Sequence, residues 1–370
     1  MAGEDATSSW LEEPALAPLQ PQDLSREKLI DLGSKIINCT WKSGLPQWSW
    51  GEGVYLLNEV RFYEATGIEI PQRVVDWFTH REAITSGHIN NVAPGAAAAR
   101  LHALGKMNSR EITDSLEKWV GDTHSATRAK NGAVEHWPGG VWADTCYLMG
   151  TFMLNFGVVT NNSKFVEFIG DQLVKHAEIL QNPQTNLFAH GSHRGETLWN
   201  YWGRGNAWTA LSIVEFLDAC EVLEISPITT SVLKKSLEGQ LKALINLLPE
   251  YGVWDVLVDH QIENAGILET SATAGIGSAM IRAARHLPAM KTELIQTGMR
   301  ASAASLTYID DAGVLTRTSA GTVLQLIPFG YSVIRNDRLQ LWGQGLALAA
   351  ITALLTPDAN ELAIIPPNQS

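Results

Sequence analysis

Read for hydrophobic and polar positions, the chain from Ser25 onward alternates between two kinds of helical segment. One kind is amphipathic and charged, at 25–42, 71–84, 108–124, 162–181, 229–248 and 291–309. Several of these open with Ser, Thr or Asn, or with Pro at the first turn, as helix starts prefer. The other kind is small, apolar and nearly free of charge, at 52–67, 92–105, 143–157, 205–220, 270–286 and 343–355. A helix that is apolar nearly all round must be covered on most sides. Strict alternation of the two predicts stacked helical hairpins with the apolar helix inside and the amphipathic one outside. That is an all-α toroid, an (α/α)6 barrel, and a repeat of the length an open solenoid would need is not visible. Segments 251–259 and 313–327 are β-rich and are expected as hairpin loops at the rim. Residues 1–22, rich in Pro, Ala and acids, are expected as a poorly ordered tail, leaving 23–370 as a single catalytic domain.

Composition narrows the classes of function. Hydrophobic residues make up 45% of the chain and charged ones 18%, so a large core is available. The formal net charge is −12 and Lys and Arg do not cluster, which argues against nucleic acid as a partner. No apolar run is long enough to predict a membrane span. The N-terminal residues have neither the basic nor the apolar region of a secretory signal, and an intracellular, cytoplasmic protein is expected. Cys39, Cys146 and Cys220 lie far apart and without metal-ligand spacing, so they are expected as free thiols. The sequons at Asn38 and Asn161 are read as chance. Thirteen Trp stand against seven Tyr, an excess of flat apolar faces suited to packing and to stacking on sugar rings.

The segments that precede the apolar helices carry the candidate chemistry. They read Trp48-Ser-Trp50-Gly-Glu-Gly, His88-Ile-Asn90-Asn-Val-Ala-Pro94-Gly95, Val141-Trp142-Ala-Asp144, Trp202-Gly-Arg204-Gly-Asn-Ala-Trp208, Trp254 with Leu268-Glu-Thr-Ser-Ala, and Trp342-Gly-Gln-Gly. If the inner helices run in one direction, these stations meet at one mouth of the barrel. An aromatic-walled cup with a few polar groups would hold a carbohydrate; the alternative is that Trp and Gly only pack and end loops. Asp144 is the sole charge in its helix, either a helix N-cap or a catalytic carboxyl. Arg204 is either structural or a two-pronged grip on a carboxylate. His190 and His136 are either hydrogen-bonding partners within loops or substrate contacts. His190 and His193 have no carboxylate at helical spacing, so neither a metal nor any other cofactor is expected.

Taken in order, these motifs resemble glycoside hydrolase families 88 and 105, the unsaturated glucuronyl and rhamnogalacturonyl hydrolases. Val141-Trp-Ala-Asp-Thr-Cys-Tyr-Leu-Met-Gly is similar to the family signature, and Trp202-Gly-Arg-Gly-Asn-Ala-Trp208 to its W-x-R-G-N-G-W. Leu268-Glu-Thr-Ser-Ala-Thr-Ala and Trp342-Gly-Gln-Gly follow in the right order. The resemblance spans residues 25 to about 355 and leans towards family 105. It implies a six-hairpin barrel that removes 4,5-unsaturated uronic acids from oligosaccharides left by polysaccharide lyases. It implies Asp144 as the general acid/base, and Arg204, His190 and His136 as substrate contacts beside Trp50, Trp142, Trp202, Trp208, Trp254 and Trp342. Trp142, Trp137 and Met149 around Asp144 predict a raised carboxyl pKa. Where the family carries a second Asp, this chain has Asn90, which can bond a hydroxyl or water but cannot exchange a proton near neutral pH; altered substrate preference is the expected consequence. The competing readings are a sugar epimerase on the same barrel and a non-catalytic uronide-binding protein.

Overall fold

The computed structural model describes residues 15–122 and 127–355. Six outer helices are present among these residues: α1 (Arg26–Ser43), α3 (Gln72–Thr79), α5 (Arg110–Gly121), α7 (Ser163–Leu180), α9 (Thr229–Asn246) and α11 (Lys291–Leu306). They alternate with six inner ones: α2 (Trp50–Thr66), α4 (Pro94–Ala103), α6 (Ala143–Val159), α8 (Gly203–Val222), α10 (Thr270–Ala283) and α12 (Leu341–Leu355). Each inner helix packs on the next, and α12 returns to pack on α2, so the ring closes. The toroid expected from the alternation is therefore the observed fold.

The inner helices touch at small residues. A Cβ on Gly53 would lie 2.5 Å from the backbone nitrogen of Pro94, and one on Gly345 would lie 2.8 Å from the carbonyl of Val54. Neither position admits a side chain without separating two neighbouring inner helices. Between helices the core is filled by fully buried rings such as Phe62, Phe152 and Phe216. Truncating Phe152 to Ala should cost about 3–5 kcal/mol.

Local signals set the helix starts. Ser25 accepts from the Lys28 N–H and Asn162 from the Lys164 N–H, each relieving an orphan donor of the first turn. Pro94 opens α4, where its missing N–H does no harm. The helix expected over 71–84 stops at Thr79, and Arg81 turns back to donate to the carbonyls of Trp77 and Leu45. Residues 123 and 124 of the expected third outer segment, 108–124, lie outside the described residues, as do residues 1–14 of the expected tail. From Ala15 the chain is docked: Leu16 N–H donates to Tyr308 Oη at 2.8 Å and Leu19 N–H to the Ala303 carbonyl.

The β structure differs from expectation. The one sheet among the described residues pairs Gly191–His193 with Glu196–Leu198. Arg194 and Gly195 both have positive φ, the geometry that a two-residue hairpin turn requires. The segments 251–259 and 313–327 make only isolated bridges, Asp255 with Leu268, Leu257 with Trp202 and Leu315 with Ile309. Val253, Trp254, Asp255, Val256, Leu257 and Val258 are all buried, a continuous buried run rather than the alternation of a half-exposed hairpin.

Candidate active site

All six stations lie at the N-terminal ends of the inner helices, and the helices run in one direction, so the stations share one mouth. Asp144 is the second residue of α6 and is only 8% exposed. Its position is set by the backbone: the Ala143 N–H donates to the His190 carbonyl at 2.9 Å, and Trp142 bridges Gly191. A Cβ on Gly191 would meet the Trp142 ring at 2.6 Å, so this close approach needs glycine. The result places His190 Nε2 3.5 Å from Asp144 Oδ2, and neither atom has a hydrogen-bond partner.

His190 is fully buried, with Trp202 at 4.2 Å and Trp142 at 5.2 Å between ring centroids, and its Nδ1 lies 2.8 Å from Tyr331 Oη. On the other side of Trp142, His136 stacks on that indole at 4.3 Å and 7°. Its Nδ1 receives Asn90 Nδ2 at 3.0 Å, and its Nε2 lies 3.1 Å from His88 Nδ1. Burial disfavours the imidazolium of His136 and lowers its pKa to about 4, against the opposing pull of Asp144. An imidazole that accepts at Nδ1 and is neutral carries its proton on Nε2 and donates to His88. Asn90 therefore reaches the site through His136, and its carbonyl lies 3.5 Å from Thr145 Oγ1.

The expected rise in the Asp144 pKa is not what the site produces. Burial does push the carboxyl up, but the facing His190 imidazole, with His136 and the Arg204 guanidinium nearby, outweighs it and holds the group below its ordinary value. In the free protein Asp144 is a carboxylate.

Arg204 does not offer a free fork. Its Nη1 donates to Glu269 Oε1 at 3.0 Å and to Ser319 Oγ at 2.7 Å, and its Nη2 to the Ala320 carbonyl at 3.0 Å and to Thr322 Oγ1. The guanidinium also lies 4.4 Å over Trp202 and 5.5 Å from Trp342. Glu269 caps α10 through the Ala272 N–H and takes Ser271 Oγ and the Ser319 N–H as well. Arg204 is thus the hub that ties α8 to α10 and to the 319–322 loop.

The tryptophans divide. Trp50 and Trp342 stack on each other at 4.4 Å and are half-buried, and Trp342 Nε1 donates to the Ser319 carbonyl. Trp137 is 39% exposed and lies edge-on to Trp142. Trp208 and Trp254, expected at the cup, are fully buried core residues: Trp208 stacks on Tyr147, and Trp254 Nε1 donates to the Leu244 carbonyl of α9. Trp202 is also without exposed surface and acts as the wall between His190 and Arg204. Sequence reasoning missed Tyr331, His88 and the role of Glu269. Only Glu269 had a visible signal, a lone acid at the start of an apolar helix.

Among the described residues no group of three His, Cys, Asp or Glu side chains could hold a metal ion, and no helix is long and apolar enough to cross a membrane.

A closed helical toroid that collects a carboxylate, two imidazoles and an aromatic wall at one mouth fits an enzyme that acts on carbohydrate. The chain belongs to Glycosyl Hydrolase Family 88, whose sequence profile matches residues 34–356. It is 30% identical over 344 residues, 89% of this chain and 95% of the other, to the unsaturated rhamnogalacturonyl hydrolase YesR of Bacillus subtilis (strain 168). Its fold is similar to that of a possible GH105 member from Salmonella enterica serovar Paratyphi A, with a TM-score of 0.79 at 24% identity over 93% of this chain and 98% of that one. The unsaturated glucuronyl hydrolase of Bacillus sp. GL1 superimposes with a TM-score of 0.68 at 15% identity, over 93% of this chain and all of that one. The family acts on unsaturated oligosaccharides, which removes the epimerase and non-catalytic readings.

Proposed function

We propose that this hydrolase removes a 4,5-unsaturated uronic acid from the non-reducing end of lyase-generated oligosaccharides, by hydrating the C4=C5 enol ether. The rhamnogalacturonyl type of substrate is favoured by the similarity to YesR. The observation that carries the reading is Asp144: a buried carboxylate at the mouth, with one oxygen unpartnered and a histidine 3.5 Å away. A buried, unsatisfied carboxylate is costly to keep and calls for a reaction that uses it.

Asp144 must be protonated to act first as an acid. An incoming uronate brings a second negative charge beside it, which raises its proton affinity in the bound complex. The Asp144 proton then goes to C4, and the positive charge that develops is shared between C5 and the ring oxygen. Water adds at C5 and returns a proton to Asp144. The hemiketal opens as the C5–O bond to the ring oxygen breaks, which leaves a ketone at C5 and a hemiacetal at C1. That hemiacetal collapses to an aldehyde as the C1–O bond to the following sugar breaks, and the hemiacetal proton passes to the sugar oxygen that leaves. One carboxyl suffices for this cycle, unlike the paired carboxylates of ordinary glycosidases. His136 and Trp142 form the wall against which the sugar ring would lie, with Trp137 exposed at its rim. Arg204, with its terminal nitrogens engaged, contributes a fixed positive charge near Asp144 rather than a direct grip on the uronate. An intracellular site of action fits lyase products taken up as small oligosaccharides. The test is the ultraviolet absorbance of the conjugated double bond in a panel of lyase-generated disaccharides: hydration abolishes it, and an unchanged absorbance across the panel removes the proposal.

A further inference from the structure

The His190 ring faces Asp144 with Nε2 and Tyr331 with Nδ1, so the tautomer of His190 decides what Asp144 meets. Burial lowers the His190 pKa against the pull of Asp144, leaving a neutral ring with a single N–H to place. Tyr331 is itself fully buried, and burial raises its phenol pKa, so its hydroxyl keeps its proton. That hydroxyl already has the Gln325 backbone N–H directed at it, at 3.5 Å. Among the described residues its own hydrogen has one acceptor in range, His190 Nδ1. With the proton on Nδ1 instead, the buried phenol hydrogen would be orphaned and the Nε2 lone pair would oppose the carboxylate lone pairs of Asp144. Both costs disappear with the proton on Nε2.

We propose that Tyr331 is a positioning residue that locks His190 in the Nε2–H tautomer and thereby keeps a proton donor aimed at Asp144. The lock is built into the segment that carries Tyr331, the short helix Phe329–Ser332 and the residues before it. Asn200 accepts the His190 backbone N–H through its carbonyl and donates through Nδ2 to the Gln325 carbonyl at 2.9 Å. Asn264 Nδ2 holds the Pro328 carbonyl at 3.0 Å. One asparagine thus gauges the distance between the histidine strand and the tyrosine segment. His190 in turn orients Asp144 and steadies its anion after it has given up its proton.

This inference rests on the reading of Asp144 as the acid/base, and the test separates the two. Tyr331→Phe keeps the ring and removes only the hydroxyl. In the substrate-free protein, ¹⁵N imidazole shifts of His190, assigned with His190→Gln, should show Nε2–H in the wild type and a shift towards Nδ1–H in Tyr331→Phe. A wild type that carries Nδ1–H, or a tautomer unmoved by Tyr331→Phe, overturns the proposal whatever the enzyme turns over. With an unsaturated disaccharide, kcat should fall roughly tenfold, the worth of about one hydrogen bond, with little change in KM. In a His190→Gln background, adding Tyr331→Phe should change kcat no further. Independent losses in the double variant would mean that Tyr331 does not act through His190.

Discussion

At the far end of the barrel, in the C-terminal turns of the inner helices, Glu215 receives Arg61, Arg282 at 2.6 Å and Asn155 Nδ2 at 3.1 Å. Asp218 beside it receives Arg282 at 2.7 Å, with Arg285 and His286 on its other oxygen. Both acids are fully buried with every carboxylate oxygen taken, and both are held below the ordinary carboxylate range against the upward push of burial. At the mouth, Asp144 Oδ2 and His190 Nε2 have no hydrogen-bond partner at all. The two ends lie roughly 15 Å apart along helices of the same ring. Burial and charge alone do not tell a catalytic carboxylate from a structural one; what separates them is whether the surrounding groups complete its hydrogen bonds.

The sharpest break of that comparison is to neutralise one acid at each end. Asp144→Asn should lower turnover by about 10²–10⁴-fold, the usual worth of a general acid/base. It should leave the fold intact with a small loss of melting temperature, since the anion that His190, His136 and Arg204 favour is removed. Turnover within about tenfold of wild type would reduce Asp144 to a helix-start residue. Glu215→Gln should do the reverse. It strands Arg61 and leaves Arg282 with Asp218 alone, for which a cost of about 3–5 kcal/mol is typical, while kcat at a permissive temperature stays near wild type. Denaturant unfolding reads the first effect, and a loss below about 1 kcal/mol would mean that the far-end network is only decorative.

Arg204 sits between the two behaviours, a fully paired charge at the mouth. Lys cannot reach Glu269, Ser319, Ala320 and Thr322 together. Arg204→Lys is expected to cost about 2 kcal/mol of stability and to weaken a uronate and its methyl ester equally. A selective loss for the acid form would restore the direct grip on the substrate carboxylate.

The legible and illegible parts of the sequence divide along similar lines. The barrel was readable because periodicity reports how much of a helix is covered, and six apolar helices alternating with six amphipathic ones leave few other arrangements. Periodicity does not report which way a Trp at a helix start turns, so Trp208 and Trp254 were expected at the cup and lie in the core. The direction of the Asp144 shift was misjudged because its neighbours along the chain are apolar, whereas His190 and Arg204 reach it from other hairpins. Glu269 claims Arg204 by a contact that only the closed ring creates. Tyr331 lies in a four-residue helix, Phe329–Ser332, too short for any pattern to mark it.

The smallest expected effect tests how the mouth tolerates Asn90. In the wild type the amide donates to His136 Nδ1, and the imidazole stays neutral with its pKa lowered from 6.5 to about 4 by burial. The unfolded chain takes up that proton below about 6.5, while the folded protein refuses it until about 4. The His136 contribution to stability is therefore complete above the first value and is lost progressively as pH falls across this window. In Asn90→Asp a carboxylate replaces the donor, so His136 must present Nδ1–H and its cation gains a partner. Its folded pKa should rise towards or above the unfolded value, and the loss between pH 6.5 and 4 should shrink or reverse. A new negative charge near Asp144 should also carry the alkaline limb of the kcat profile upward, because that limb requires Asp144 to keep its proton in the bound complex. Proton NMR titration of His136 reads the first effect directly. A His136 pKa still near 4 in Asn90→Asp would detach residue 90 from the imidazole, and an unmoved alkaline limb would leave that pair a wall of the site with no part in its proton chemistry.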